Sequence, residues 1–487
     1  MHFFIRLLLL VLVGLVAAVL VNTLRLPNHQ LAAGPAAPAV AVVPDTALAH
    51  LAGALRIPTV SRTKYAETDT VPFDQLQAYL GRTFPLVHQR LQHQTVNHYG
   101  LLYEWPGTDP ALKPLLLLAH QDVVPVLPGT ETQWTRPPFA GQQAGGYLYG
   151  RGALDDKLNV LGQLEAVEYL LRTGFRPRRT VLLAFGHDEE TMGRRGAGAL
   201  AAVIQKRYPQ LEMVLDEGGT IKTDGVAGIM QPVALVGISE KGYLSLVLTA
   251  TGQGGHSSMP PPLTSVGRVA AAVARLEAEP FPARLDGGIG STLAYLTPAV
   301  PFGQRLVFAN QWLFGPLIIK KLAAAPATNA AIRTTTAPTI ISGGAKDNVL
   351  PIEASATVNF RLLPGDSGAV VLRRVREIIA DPLVQVRPLA AGQEASPVSR
   401  TDNAAFGTLH RTIKSVFPQA LVAPYTVLGA TDARTYAPLC PQATYRFSPL
   451  LMDQKAIDSM HGTNERLRAA AYSEVIRFYA ALIRNVQ

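Results

Sequence analysis

The most apolar stretch of the chain lies at its start. Leu7 to Val21 is an unbroken run, extended upstream by Phe3, Phe4 and Ile5, with Arg6 near its beginning and Asn22, Thr23 and Arg25 after it. Counted from Phe3 to Leu24, it predicts a helix long enough to cross roughly 30 Å of hydrocarbon with Arg6 snorkelling to the interface. Residues 1–25 therefore read as a membrane anchor or a signal peptide. A signal peptide carries an apolar core of about 7–15 residues followed closely by a small-residue cleavage site. The small residues Ala32-Ala33-Gly34 lie well past the run, which favours a retained anchor over cleavage and release into the periplasm or medium. Either way the body is exported. Residues 26–48, rich in Ala and Pro and without period, predict an extended tether to the folded part.

Beyond the tether, helical and strand-like stretches alternate. Pro114–Ala119, Thr180–Phe185 and Met213–Leu215 are continuous apolar runs, the mark of strands buried on both faces. Helical segments such as Lys157–Thr173 and Ala197–Gln205 separate them, which predicts an α/β sheet flanked by helices. Near Gly237 the texture changes. Gly242–Thr251 alternates, and a Gly-rich turn, a helix at Ser265–Glu279, a strand at Ala354–Leu363 and a helix at Ala369–Ile379 follow. These suit a smaller α+β domain at 238–395, inserted into a catalytic domain split into 49–237 and 396–487. Within 281–335, Phe302, Phe308, Trp312, Phe314 and Ile318-Ile319 suit either a buried helix or an apolar wall for substrate.

Composition narrows the partners. With 487 residues, 48% hydrophobic and 16% charged, the chain is too apolar for disorder and long enough for several domains. The formal charge is +9, yet the bases occur as pairs such as Lys320-Lys321 and Arg373-Arg374 or as the short cluster Arg176, Arg178, Arg179. No long basic tract with interleaved aromatics is present, which argues against nucleic acid. A lone cysteine, Cys440, leaves any metal site to histidines and carboxylates.

Such side chains follow the predicted strands, where loops at the carboxyl ends of parallel strands gather into one crevice. His120-Gln121-Asp122 follows the first apolar run, and a carboxylate two residues after a histidine can take the second ring N–H of a metal-binding imidazole. Gly150–Lys157 carries Asp155-Asp156 into a helix. Gly186-His187-Asp188-Glu189-Glu190 and Leu215-Asp216-Glu217-Gly218-Gly219 follow two further strands, and His461-Gly462-Thr463-Asn464-Glu465 precedes the last helix. Each piece alone has a bland reading: a surface turn for His120, helix caps for the acidic pairs, a packed side chain for His461. Together they place so many like charges in one cleft that cations are needed to neutralise them.

The series of motifs around His120, Asp155, Glu189, Asp216, His256, Arg361, Arg434 and His461 resembles the M20 metallopeptidases, on the branch of carboxypeptidase S and the N-fatty-acyl-amino-acid synthase/hydrolases. The likeness spans about residues 50–485. It implies an α/β fold in which a split zinc-hydrolase catalytic domain, with a mixed, largely parallel sheet flanked by helices, carries an inserted lid and dimerisation domain. It further implies two Zn2+ per subunit, with Co2+ or Mn2+ as substitutes. On this pattern His120 binds one ion, Asp155 bridges both, Glu190 and His461 bind the second, and Asp216 completes the first, with Glu217 as the alternative. Glu189 is then the general base, Asp122 supports His120, and a cis peptide follows Asp155. His256 resembles the histidine that assists the oxyanion, often across a homodimer; a turn histidine is the alternative. Arg361 and Arg434 are candidates to clamp a substrate carboxylate, with an ordinary strand-surface charge as the alternative for Arg361, and Asn348 is a candidate to add a hydrogen bond to substrate. The function implied is cleavage of an amide beside a free α-carboxylate, in a small peptide or an N-acyl amino acid, with the apolar residues 299–319 suiting a fatty acyl chain. A non-catalytic binding or dimerisation module on the same fold and a basic membrane-surface protein are the competing classes.

Overall fold

The computed structural model describes residues 1–34, 45–224, 226 and 228–487. A ten-stranded mixed sheet forms the frame. At its centre, Val181–Gly186, Leu115–His120, Met213–Asp216 and Thr444–Arg446 run parallel in that spatial order. The first three are buried along their whole length, which is why they read as continuous apolar runs. Gln92–Val96 and Gly100–Trp105 add an antiparallel flank beside Val181–Gly186. On the other side Val233–Glu240 collects neighbours of both senses, including the parallel strand Leu421–Val427.

The helix Lys157–Arg172 is buried almost all round, because it packs on the sheet and is itself covered by the C-terminal helix Ala471–Asn485. Within this helix Gly162 has no room for a Cβ, which would meet Val475 Cγ1 of the C-terminal helix at 2.7 Å. The M20-type arrangement of a mixed sheet with helices expected from the sequence is thus the one observed.

A second sheet, order Thr335–Gly343, Glu353–Leu362, Gly242–Thr251, Val384–Pro388, is wholly antiparallel. Glu353–Leu362 alternates strictly between buried and part-exposed positions. Its inner face is covered by the helices Ser265–Ala278 and Gly368–Ile379, forming a separate apolar cluster around Leu246, Val269, Val358 and Val375.

The stretch 281–335 resolves into four short helices, Gly287–Leu296, Phe302–Ala309, Gln311–Leu322 and Pro326–Ile332. The first packs on the strand Leu421–Val427, and its Tyr295 and Leu296 belong to the core of the large sheet. Phe302–Ala309 rests on the N-terminal helix His2–Leu24, whose other residues are mostly exposed.

The described part of the 26–48 segment expected as an extended tether is docked on the body; residues 35–44 lie outside the described residues. Gln30 donates from Nε2 to the carbonyls of Val422 (2.8 Å) and Tyr295, and its Oε1 accepts from the Val422 amide. His29 stacks on Tyr295, and the Leu31 amide donates to His410 Nε2 at 3.2 Å. Polar side chains and backbone groups thus override the extended-chain preference of an Ala/Pro-rich sequence by finding partners on the body.

His410 is buried, and burial with the nearby Lys414 and Arg411 pushes its pKa down to about 4. The native state therefore binds fewer protons than the unfolded chain, so its contribution is complete above pH 6.5 and is lost as the pH falls toward 4. The loss amounts to about 3 kcal/mol. Melting temperature measured across this window should fall for the wild type and fall less for His410→Gln; parallel curves would refute the assignment.

Candidate metal centre

The parallel strands deliver their carboxyl ends to one edge of the sheet. His120 is the last residue of Leu115–His120 and pairs with Gly186, the last of its neighbour. The turn after Gly186 supplies Glu189 and Glu190, the end of Met213–Asp216 supplies Glu217, and the loop before Lys157–Arg172 supplies Asp155 and Asp156.

Asp155 joins the two histidines. Its Oδ1 lies 2.9 Å from His120 Nε2 and its Oδ2 lies 2.9 Å from His461 Nε2, although 306 positions separate Asp155 from His461. Glu217 Oε1 stands 3.5 Å from His120 Nε2, and Glu190 Oε1 stands 3.3 Å from His461 Nε2 without hydrogen-bond geometry. His120, Asp155 and Glu190 form one group, and His120, Asp156 and Glu217 a second, whose candidate ligand atoms all lie within 4.8 Å of one another. The peptide bond between Asp155 and Asp156 is cis, as the resemblance implied.

Asp216 points elsewhere. Successive residues at a strand end project to opposite sides, so Asp216 and Glu217 cannot both face the same cleft. Asp216 Oδ2 accepts from the Ala433 amide at 2.6 Å, and it is Glu217 that reaches the histidine.

Two carboxylates outside the ligand set hold the loops in place. Asp122 accepts from Ser61 Oγ (2.6 Å) and from the amides of Glu189 and Glu190 (3.2 Å each), while its own carbonyl meets His120 Nδ1 at 3.0 Å. It thereby fixes the imidazole's orientation and the acidic turn together. Glu465, not singled out from the sequence, is fully buried and accepts from Arg151 Nη1 (2.5 Å) and from the amides of Gly152, Leu154 and Asp155. Its sequence signal is its place four residues after His461. Gly152 adopts φ +88°, a conformation for which glycine is suited, and a Cβ there would meet Val123 Cγ1 at 2.9 Å.

The charge balance is unfavourable for protein groups alone. Burial, then the neighbouring acids, pushes Glu217 up to about 8 and drives Glu189 and Asp156 well above the carboxylate range. Asp155 and then Glu190 draw His461 up to about 10. Asp155 itself stays below its usual range, because both imidazoles outweigh its burial. Carboxylates crowded to this degree, an unsatisfied buried oxygen on Glu190, and two histidines sharing one aspartate fit a pair of divalent cations.

The remaining candidates stand apart from this cluster. Arg434 is committed: its Nε and Nη2 donate to Glu240 Oε2 at 2.9 and 2.7 Å. Arg446 and Thr431 hold the other oxygen of Glu240, so the guanidinium expected to clamp substrate neutralises a buried acid instead. Arg361 lies over the Tyr243 ring at 4.9 Å and forms no ion pair among the described residues. His256 and Asn348 are exposed at a two-stranded ribbon formed by Gly255–His256 and Val349–Leu350, where the Ser257 amide donates to the Asn348 carbonyl and His256 Nδ1 meets Ser258 Oγ.

Removing one partner of a buried ion pair costs about 3–5 kcal/mol. Glu465→Ala should therefore lower stability to chemical denaturation by that order and loosen the loop carrying Asp155, read as faster amide exchange at residues 151–155. Unchanged stability would remove Glu465 from this role.

Comparison with known proteins agrees with the geometry. Residues 116–485 match the peptidase family M20/M25/M40. The chain is 41% identical over 441 residues to the N-fatty-acyl-amino acid synthase/hydrolase of Homo sapiens, covering 89% of this chain and 86% of that protein. It is 37% identical over 486 residues to the probable carboxypeptidase S-like 2 of Dictyostelium discoideum, covering 98% and 93%. The solved M20 family metallo-carboxypeptidase Sso-CP2 from Sulfolobus solfataricus shares the fold, with a TM-score of 0.63 at 18% identity over 91% of this chain and 99% of that one. The chain therefore belongs to the M20 peptidase family and is a hydrolase related to the carboxypeptidase S-like proteins and the N-fatty-acyl-amino acid synthase/hydrolases.

Proposed function

We propose that this hydrolase uses two zinc ions to cleave an amide beside a free α-carboxylate, with N-fatty-acyl amino acids as the preferred substrate. The observation that supports a paired site most directly is Asp155, which offers one oxygen to each of two histidines. His120 and Glu217 would hold one ion, His461 and Glu190 the other, with Asp155 between them. Ions so held polarise a carbonyl and make water acidic enough to react near neutral pH. Glu189, in its ionised form, takes the proton of the attacking water and passes it to the leaving amine. Asp122 keeps Glu189 in reach through the Glu189 amide.

Substrate recognition is assigned to the lid. Arg361, free of any acidic partner among the described residues, offers the two-pronged donor set that a carboxylate requires. His256 and Asn348, both exposed, would meet the oxyanion from a second copy of the chain. The edge strand Thr335–Gly343, with Ile340 and Ile341 exposed, suits such pairing. The helix His2–Leu24 is long and apolar enough to cross a membrane, and we assign it to a retained anchor that leaves the catalytic body outside. Its docked continuation at Gln30 supports retention.

Glu189→Gln removes the base while leaving the proposed ligands intact. It should lower kcat by about 10²–10⁴-fold with metal content unchanged by elemental analysis. Chelation should abolish wild-type activity and added Zn2+ or Co2+ should restore it; wild-type turnover in the variant would overturn the mechanism.

Similarity to the human N-fatty-acyl-amino acid synthase/hydrolase favours an acylated substrate, and similarity to the Dictyostelium carboxypeptidase S-like protein favours a peptide C-terminus. Purified enzyme given long-chain acyl amino acids beside C-terminally apolar dipeptides should hydrolyse the former faster. Inertness toward the acylated series would leave the carboxypeptidase reading in its place.

A further inference from the structure

The helices Phe302–Ala309 and Gln311–Leu322 take no part in the carboxylate cleft. They meet at Asn310, which is fully buried, although the helices around it are not. Asn310 Nδ2 lies 3.2 Å from both the Val19 carbonyl and Thr23 Oγ1, and its Oδ1 accepts from Asn22 Nδ2 at 3.1 Å. Val19 and Thr23 are the two buried residues of His2–Leu24, and both lie in its closing turns. The corner of the hairpin is therefore bound to the point where a helix of about 35 Å would leave the hydrocarbon. A few residues on, Gln30 is clamped to Val422, so helix, hairpin and body are held in one orientation.

The outer side of the hairpin is apolar and uncovered. Trp312, Leu313, Pro316 and Leu317 form an exposed stripe along Gln311–Leu322, closed by Lys320 and Lys321, and Phe302 is exposed on the partner helix. From Gly287 to Lys346 the chain contains no Asp or Glu, while Arg305, Lys320, Lys321, Arg333 and Lys346 are basic. An aromatic and aliphatic face bordered by lysines, without acids, matches the boundary between acyl chains and anionic headgroups.

We propose that the hairpin Phe302–Leu322 is a second membrane element, lying in the surface of the bilayer that the N-terminal helix crosses, with Trp312 and Leu317 immersed in lipid. The inference rests on the retained anchor proposed above and is independent of the reaction. Its physical consequence is a fixed stance: one crossing helix allows the body to swivel, whereas a crossing helix and a joined interfacial hairpin do not.

The chain reports on this itself. Of its three tryptophans, Trp105 and Trp134 are 6% and 7% exposed, whereas Trp312 is 59% exposed. The full chain is reconstituted at one copy per nanodisc in phosphatidylcholine and phosphatidylglycerol carrying brominated acyl chains, and the emission of Trp312→Phe is subtracted. The Trp312 share should drop at least twofold, more with bromines near the carbonyls than near the methyl ends, since an interfacial face enters only about 5–10 Å. An intact-mass measurement on the same preparation checks the anchor. Loss of residues 1–25 would overturn both the anchor and this proposal. A retained helix with unquenched Trp312 would overturn this proposal alone, leaving a second copy of the chain as the cover for the stripe.

Discussion

A concentration of negative charge at the ends of three parallel strands is the constraint around which this molecule is arranged. Asp155, Asp156, Glu189, Glu190 and Glu217 share a cleft with two imidazoles, and each acid that loses water raises the cost of ionising the next. Among the described residues no lysine or arginine forms an ion pair with these acids. The imbalance is left in place, as divalent cations would neutralise it, and the hydrogen bonds go to the loops that carry the acids. Asp122 binds the acidic turn after Gly186, and Glu465 binds the loop that ends in Asp155. Neither carboxylate enters the ligand groups, yet without them the ligands would sit on loops free to relax apart.

A second charged knot governs how the antiparallel sheet joins the large one. The chain leaves the large sheet at Glu240 and returns near Ser396, and these two crossings are bonded to each other: the Glu240 amide donates to Ser396 Oγ and the Ser396 amide to the Glu240 carbonyl. Glu240 is fully buried, and two guanidiniums hold it below its ordinary pKa despite that burial. Lys241, next in sequence, donates from Nζ to the carbonyls of Ala330 and Arg333. Arg434 thus serves the junction, with its Nε and Nη2 both engaged by Glu240. Arg361, on the neighbouring strand Glu353–Leu362, forms no ion pair among the described residues.

The amino-terminal region extends the same logic to orientation. Composition marks residues 26–34 as flexible, but Gln30, Leu31 and Gly34 are each fixed by hydrogen bonds to the body. The helix His2–Leu24 is consequently not a loose leash, and the apolar hairpin held at its end by Asn310 has a definite position relative to it.

Much of the design was legible in the residues themselves. Strands buried on both faces announce themselves as unbroken apolar runs, because burial is a local property of side-chain order; Gly242–Thr251, which alternates in residue type, is nevertheless buried on both faces from Leu244 to Leu248. The same locality made His120, Asp155, Glu189 and Glu190 visible, since each ends or follows a strand or precedes a helix, whereas His461 stood out only by its own short motif. What tertiary structure alone decided were choices between neighbours and pairings across hundreds of positions. Glu217 reaches the histidine while Asp216 turns to the Ala433 amide, a matter of side-chain direction that adjacent acids in a sequence do not reveal. Glu465 finds Arg151 and Arg434 finds Glu240 because folding brings distant loops together, and Asn310 becomes the join for a helix 287 positions away because a buried amide must be satisfied by whatever backbone packs against it.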